Sequence, residues 1–125
     1  MQVLACGMAG KTSTATAEHY IWGAGCDGWH LLCAEALSVI EERMPAGTSE
    51  ERHRHKHVRQ MFYVLEGELS MELEGNTITL SKNEALEIAP GQAHQAMNCS
   101  EADVRFLVIS SPPTRSANGL DRDPA

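Results

Sequence analysis

The sequence has little positive charge, few aromatic residues and no long apolar run, and each shortage excludes a class of protein. Lys and Arg number 10 against 17 Asp and Glu, for a formal net charge of −7. This balance argues against nucleic acid or an anionic membrane as partner, because phosphate binding depends on cationic contacts. No stretch approaches the roughly 20 apolar residues of a membrane helix. The 42% apolar content and 125 residues fit one globular domain.

The four cysteines and the two ends of the chain point to a cytoplasmic protein. No two cysteines form a Cys-x-x-Cys pair, which excludes zinc-ribbon and thioredoxin-like sites, and we expect reduced thiols. The first ten residues lack the basic start of a signal peptide. We expect residues 1–17 to be a flexible arm and residues 111–125 a flexible tail, on either side of a folded body at residues 18–110.

The middle of the chain shows the two-residue period of β-strands. Residues 60–66 are rich in aromatic and β-branched types, and residues 69–73 alternate between apolar and polar. Further short strands are predicted over residues 77–80, 85–88 and 104–109. Short strands separated by turns predict an all-β fold, a small antiparallel barrel or sandwich.

Residues 31–44 do not follow this pattern. Alanine, leucine and glutamate dominate the segment, and Pro45 follows its end. Local propensity alone therefore favours a helix here.

Three of the six histidines lie within five residues, at His53, His55 and His57. Residues two apart in a strand point to the same face, so His53 and His55 can hold one metal ion. Gln60 lies at an odd offset from His55 and shares their face only if the chain turns between them. His57 sits where that turn is needed, and we expect it at the mouth of the site or exposed to solvent.

A further histidine follows a turn later in the chain. Pro90 and Gly91 predict a turn that brings His94 back towards the first pair. Three imidazoles and the side-chain oxygen of Gln60 are a suitable ligand set for a divalent first-row transition metal, with positions left open for substrate.

The spacing of these residues resembles the first motif of the cupin superfamily. That motif is Gly, five residues, His-x-His, three or four residues, Glu, six residues, Gly. This chain has Gly47, five residues, His53 and His55, four residues, Gln60, six residues and Gly67.

The second cupin motif is also present, with two departures. Gly91, His94 and Asn98 match its spacing, while Asn83 replaces the opening glycine and Ala89 the first proline. The resemblance implies a small antiparallel β-barrel or jelly roll with the metal inside, and a homodimer. It also implies a strand through residues 37–44, in place of the helix that local propensity favours.

Glutamine at position 60, where cupins commonly carry glutamate, has a chemical consequence. Glutamate would cancel one unit of metal charge and Gln60 cancels none, which favours Lewis-acid chemistry over a redox role. The metal, one of Zn, Mn, Fe or Ni, would then polarise a small polar substrate for isomerisation, ring opening or lysis. A metal-dependent dioxygenase and a non-catalytic small-molecule-binding cupin are the alternatives. Phe62, Met97 and Arg105 are candidates to line the pocket. Arg105, the only charge in an apolar strand, either binds an anionic group or pairs with an acidic neighbour.

Overall fold

The computed structural model describes residues 10–125, which contain thirteen β-strands and no helix. The first nine residues of the predicted arm lie outside this range. In chain order the strands are β1 (Glu18–Trp22), β2 (Cys26–Cys33), β3 (Ser38–Met44), β4 (His53–Arg54), β5 (Arg59–Glu66), β6 (Leu69–Leu73), β7 (Asn76–Leu80), β8 (Ala85–Ile88), β9 (His94–Met97), β10 (Val104–Ser111), β11 (Arg115–Ser116), β12 (Gly119–Leu120) and β13 (Asp123–Pro124).

The strands form two main antiparallel sheets and a small hairpin. Six strands make the first sheet, in the order β1-β2-β3-β10-β5-β8, and five make the second, in the order β13-β4-β9-β6-β7. Strands β11 and β12 pair with each other. The predicted all-β antiparallel fold is confirmed, and its form is a jelly-roll sandwich.

The hydrophobic core lies between the two sheets and draws on both. In β5, Gln60, Phe62 and Val64 are buried, while Met61, between Gln60 and Phe62, faces solvent, as the two-residue period requires. Leu69 and Met71 of β6 close the core from the other sheet. The predicted strands at residues 60–66, 69–73, 77–80, 85–88 and 104–109 are all present.

The segment with helical propensity is extended. Strand β3 lies between β2 and β10 and pairs with both, from Ser38 to Met44. Hydrogen bonds on both edges and burial of the inward side chains outweigh a propensity of a few tenths of a kcal/mol per residue. The strand that the cupin resemblance implied is therefore confirmed.

Residues 111–125, for which we expected a loose tail, carry three short strands. The segment leaves β10 through a cis Ser111–Pro112 bond and forms the β11–β12 hairpin. Strand β13 then adds to the edge of the second sheet by pairing with β4. The segment therefore belongs to the same packed unit as the sheets.

The cysteines differ from the expectation of four reduced thiols. Cys33 is disulfide-bonded, whereas Cys26 is a buried free thiol and Cys99 an exposed one. Among residues 10–125, no helix is long and apolar enough to cross a membrane.

Candidate metal centre

Three histidines from neighbouring strands meet at one point on the inner face of the second sheet. His53 lies in β4, His55 follows two residues later, and His94 opens β9 directly opposite His53. One nitrogen from each ring lies within 4.8 Å of the other two. The residues are only 2%, 3% and 0% exposed, in chain order. Together they could hold a metal ion.

Each of the three imidazoles is oriented by a backbone carbonyl. Nδ1 of His53 bonds to the carbonyl of Glu51 at 2.7 Å, and Nδ1 of His94 bonds to the carbonyl of Gln92 at 3.0 Å. Nδ1 of His55 bonds to the carbonyl of Asp121. A carbonyl oxygen only accepts, so each Nδ1 carries the proton. Each Nε2 therefore presents a lone pair, which is the tautomer that binds a metal through Nε2.

Three buried polar atoms, on two of these histidines and on Gln60, have no hydrogen-bond partner among the described residues. They are His55 Nε2, His94 Nε2 and Gln60 Oε1. The amide nitrogen of Gln60 donates to Ser110 Oγ at 3.0 Å, so that its oxygen is left free. A buried polar atom without a partner costs about 1–3 kcal/mol. A metal ion would satisfy such atoms, and the donor set therefore fits the predicted metal.

Burial favours the neutral form of His53 and His94. Desolvation lowers the pKa of His53 to about 3, against the opposing effect of the Glu51 carbonyl; the positive charge of Arg122 and the two other imidazoles lower it further. Desolvation also lowers the pKa of His94. Neutral imidazole is the form that ligates a metal.

The predicted turn before His94 docks directly on the first histidine pair. Gly91 has a φ of 87°, in the left-handed region that glycine adopts without strain. Its N–H donates to the carbonyl of His55 at 2.6 Å. At the far end of β9, the Asn98 side chain donates to the carbonyl of Met44 at 2.9 Å. The bond from Gly91 to His55 therefore joins the two motifs through their backbones, and Asn98 ties the second motif to the end of β3.

A carboxyl group that sequence reasoning could not place lies inside the sandwich. Glu42 pairs across the sheet with Phe106, whose side chain is in the core, so Glu42 points inward. The Tyr20 hydroxyl donates to Glu42 Oε2 at 3.0 Å. Desolvation raises the pKa of Glu42 to about 8, helped by the negative charge of Glu50 and opposed by Tyr20 and Arg122.

A strand glycine makes the bond between Tyr20 and Glu42 possible. Gly28 lies opposite Tyr20 on one side and opposite Glu42 on the other. A Cβ at this position would lie 2.1 Å from Tyr20 Cζ, so the ring crosses where a side chain would be. A glycine within a strand is the one sequence signal that could have indicated this contact.

Glu50 is a second buried carboxyl, next to the histidines. Its Oε2 accepts the N–H of Ala96 at 2.9 Å and lies 4.0 Å from Nδ1 of His53. Its Oε1 lies 3.9 Å from Arg122 Nη2. Burial raises the pKa of Glu50 to about 7, while the bond from Ala96 and the charge of Arg122 act in the opposite direction.

The segment between β12 and β13 closes one side of the centre. The Asp121 carboxylate accepts the N–H groups of Lys56 and His57 at 2.7 and 2.8 Å, and its carbonyl orients His55. His57 itself is exposed. Sequence reasoning missed Asp121 and Arg122 because it treated this segment as a loose tail.

Of the two pocket candidates Phe62 and Met97, one points into the sandwich and the other points out of it. Phe62 is buried in the core, and its ring centroid lies 6.2 Å from that of His94. Met97 is half-buried and, three residues after His94 in β9, points away from the histidine face. Phe62 therefore adjoins the centre and Met97 does not.

Arg105 lies on the outer face of the first sheet. Its guanidinium bonds to Glu41 at 2.9 and 3.0 Å and lies 4.9 Å from the ring centroid of Trp29. Its neighbours in β10, Val104 and Phe106, fill the inner face. Arg105 therefore pairs with an acidic neighbour, and binding of a substrate anion inside the sandwich is not its role.

The fold and the three-histidine centre are typical of jelly-roll proteins with a metal site between their sheets. Sequence comparison then identifies the family. The family model described as "Cupin domain" matches residues 40–110. The chain belongs to the cupin domain family.

Several relatives share the sequence at modest identity. An uncharacterised protein of Methanocaldococcus jannaschii is 28% identical over 76 residues, which are 61% of this chain and 61% of the relative. An oxalate-binding protein of Thermotoga maritima is 25% identical over 85 residues, which are 64% of this chain and 70% of the relative. The chain thus spans less than two thirds of the first of these relatives.

Solved structures share the fold. KdgF from Halomonas sp. aligns with a TM-score of 0.78 at 21% identity, covering 85% of this chain and 96% of that one. A cupin-superfamily sugar phosphate isomerase from Silicibacter pomeroyi aligns with a TM-score of 0.77 at 18% identity, covering 92% of each chain. The polyketide cyclase RemF from Streptomyces resistomycificus aligns with a TM-score of 0.75 at 22% identity, covering 85% of this chain and 81% of that one.

Proposed function

We propose that the chain is a metal-dependent enzyme whose metal is held by His53, His55, His94 and Gln60. The observation that supports this most strongly is the set of buried atoms without partners, two imidazole Nε2 atoms and one amide oxygen. They belong to side chains that two separated motifs bring inward. The metal is one of the divalent first-row ions Zn, Mn, Fe or Ni.

All four proposed ligands are neutral, and this decides the chemistry. A bound divalent ion would keep its full charge and act as a Lewis acid on a substrate oxygen. The chain's own contribution is to hold three imidazoles in one tautomer and to exclude water with Phe62 and the surrounding core.

Glu42 is the group that we propose moves a proton. It faces inward and bonds to Tyr20, and its pKa of about 8 lies near neutral pH. A carboxyl group with such a pKa can both donate and accept protons under working conditions. Isomerisation, ring opening and lysis each need such a group.

The similar proteins support a small polar substrate but not one reaction. The names of the similar structures include a sugar phosphate isomerase and a polyketide cyclase. A cupin fold hosts many chemistries, so we assign the reaction type only as isomerisation, ring opening or lysis.

Two alternatives stay open, and each has its own readout. A metal-dependent dioxygenase would use three histidines equally well and would consume oxygen. A non-catalytic cupin is favoured by one relative, the oxalate-binding protein of Thermotoga maritima. Such a protein would be stabilised by its ligand without turning it over.

The test is a turnover screen with metal-stripped protein reloaded with each of the four metals in turn. Small sugar acids, hydroxy acids and oxo acids serve as substrates, with an oxygen electrode alongside. We expect product to form without oxygen consumption. We expect His94→Ala to abolish it, while His57→Ala, an exposed histidine two residues after His55, preserves it. Oxygen uptake would favour the dioxygenase, and stabilisation without product would favour the binding protein.

The oligomeric state, the partners and the cellular location of the protein are also proposals. A homodimer, a small-molecule ligand, and the absence of nucleic-acid and membrane partners follow from the cupin resemblance and the net charge of −7. A cytoplasmic location is opposed by the disulfide at Cys33, since such bonds are rare in reducing compartments. Cell fractionation tests the location.

A further inference from the structure

Arg122 lies between β12 and β13, beside the three-histidine centre. Strand β13 pairs with β4 so that Pro124 lies opposite His53 and Asp123 opposite Arg54. Continued by one residue, this antiparallel register places Arg122 opposite His55. Paired residues share a face of the sheet, and Arg122 is therefore on the histidine face.

The electrostatics of the centre agree with this placement. The positive charge of Arg122 lowers the pKa of His53 and of His94, and it also counteracts the raised pKa of Glu42 and of Glu50. Its guanidinium thus acts on groups from β3, β4, β9 and the loop before β4. Arg122 therefore places a positive charge beside the three-histidine centre.

The guanidinium of Arg122 has free donors. Its nearest acidic atom is Glu50 Oε1, at 3.9 Å, which is beyond hydrogen-bond distance. Within residues 10–125 its side chain makes no hydrogen bond. By contrast, Arg43 and Arg52 each donate to carboxylates at 2.6 to 3.1 Å. The Arg122 side chain is 35% exposed, so a ligand can reach it.

We propose that Arg122 binds the carboxylate of a small organic acid and holds it against the three-histidine centre. The inference rests on the proposed function in one respect. It assumes that a metal is held by neutral ligands and therefore keeps its full charge. A planar guanidinium with unused donors matches a carboxylate in geometry and charge. Arg122 thus takes the anion-binding role for which the sequence suggested Arg105.

The proposal specifies the substrate class. A substrate would carry one carboxylate for Arg122 and a second oxygen within reach of the metal. Neutral sugars and amides of the same size lack the first of these groups. The chain should therefore discriminate strongly between an acid and its amide.

The experiment measures oxalate and oxamide binding to the full chain by calorimetry, with and without reloaded metal. Oxalate offers the carboxylate and oxamide is its neutral counterpart of similar shape. We expect Arg122→Gln to weaken oxalate binding at least tenfold, to leave oxamide binding unchanged, and not to lower metal affinity, since it removes a positive charge beside the centre. Arg122→Lys should retain part of the oxalate affinity, and Arg105→Gln, a matched arginine on the outer face, should retain all of it.

The outcomes separate this inference from the proposed function. Unchanged oxalate affinity in Arg122→Gln, or no oxalate binding by the wild-type chain, overturns the role of Arg122. Failure of the wild-type chain to bind metal overturns the proposed function, while Arg122-dependent oxalate binding by the metal-free chain would still support the anion site. If Arg122→Gln does not fold, as judged by circular dichroism, Arg122→Lys is compared with wild type instead. Equal oxalate affinity in these two proteins then overturns the role of Arg122.

Discussion

At the scale of single residues, the centre is defined by which nitrogen of each histidine is occupied. The three Nδ1 atoms bond to backbone carbonyls, and two of the Nε2 atoms are buried without a partner. Two-residue parity predicted that His53 and His55 share a face, and the Pro-Gly turn predicted the return of His94. Parity could not place Glu42 or Arg122, since the face of each depends on pairing with strands distant in sequence. For the same reason, sequence left Arg105 between an anionic ligand and an acidic partner, and β10 places it outward beside Glu41.

The charge of residue 60 should set the metal affinity. Gln60→Glu adds a negative charge at an oxygen that now has no partner, and we expect tighter metal binding on the order of tenfold, or about 1.4 kcal/mol. Gln60→Ala should weaken binding by a similar factor. Competition with a chromophoric chelator measures both variants. Equal affinity in all three proteins would show that residue 60 is not a ligand.

Burial of Glu42 should make stability depend on pH. Its pKa rises from 4.5 to about 8 on folding, so the folded state holds the proton more tightly. The resulting stabilisation is complete below pH 4.5 and is lost as the pH rises through 8. Tyr20, Glu50 and Arg122 are the charged or titratable neighbours that act on it.

We therefore expect Glu42→Gln to flatten the fall in unfolding free energy between pH 4.5 and 8. The change should be at most about 5 kcal/mol, as each tenfold difference in proton affinity is worth about 1.4 kcal/mol. Urea denaturation of the metal-free protein across this window measures it, with Glu68→Gln, an exposed carboxyl, as control. A wild-type slope in Glu42→Gln would contradict the assignment.

At the scale of elements, strands with an alternating apolar and polar pattern could be predicted from the sequence, whereas the two-residue strands could not. Strand β6 has the bounds that its apolar and polar alternation predicted, Leu69–Leu73. Strand β3 needed the cupin resemblance, because its local propensity is helical and only its neighbours β2 and β10 make it extended. Strand β13 has two residues and no period, and therefore gave no signal.

The segment before β13 should support the centre through Asp121. Asp121→Ala removes two hydrogen bonds to the backbone N–H groups of Lys56 and His57, and we expect a loss of about 1–3 kcal/mol of stability. Metal affinity should fall as well, because the loop that carries His55 loses its anchor. Thermal unfolding and chelator competition measure the two effects. Asp123→Ala, two residues away and without a side-chain hydrogen bond in the described range, should change neither.

At the scale of the whole molecule, strand β1 is a terminal strand of the larger sheet among residues 10–125. Ile21 within it is 69% exposed in that range. Leu32 of the adjacent strand β2 is 41% exposed. An edge strand with exposed apolar side chains favours association with another copy of the chain.

The homodimer implied by the cupin resemblance should depend on this edge. We expect Ile21→Lys to convert a dimer into a monomer without lowering metal content, because Ile21 lies outside the core. Light scattering coupled to size-exclusion chromatography measures the mass. A matched change on the outer face of β5, Met61→Lys, should leave the dimer intact. A wild-type monomer, or a dimer that survives Ile21→Lys, would contradict the assignment.

The most direct test of the metal centre is the metal affinity of three proteins: wild type, His94→Ala and His57→Ala. Each is stripped, reloaded separately with Zn, Mn, Fe or Ni, dialysed and analysed for its metal content. For at least one metal we predict one tightly held ion per wild-type chain and per His57→Ala chain. In His94→Ala the affinity should fall about 100-fold, equivalent to about 2.7 kcal/mol. A wild-type chain that retains none of the four metals, or a His94→Ala chain that binds as tightly as wild type, would contradict the account.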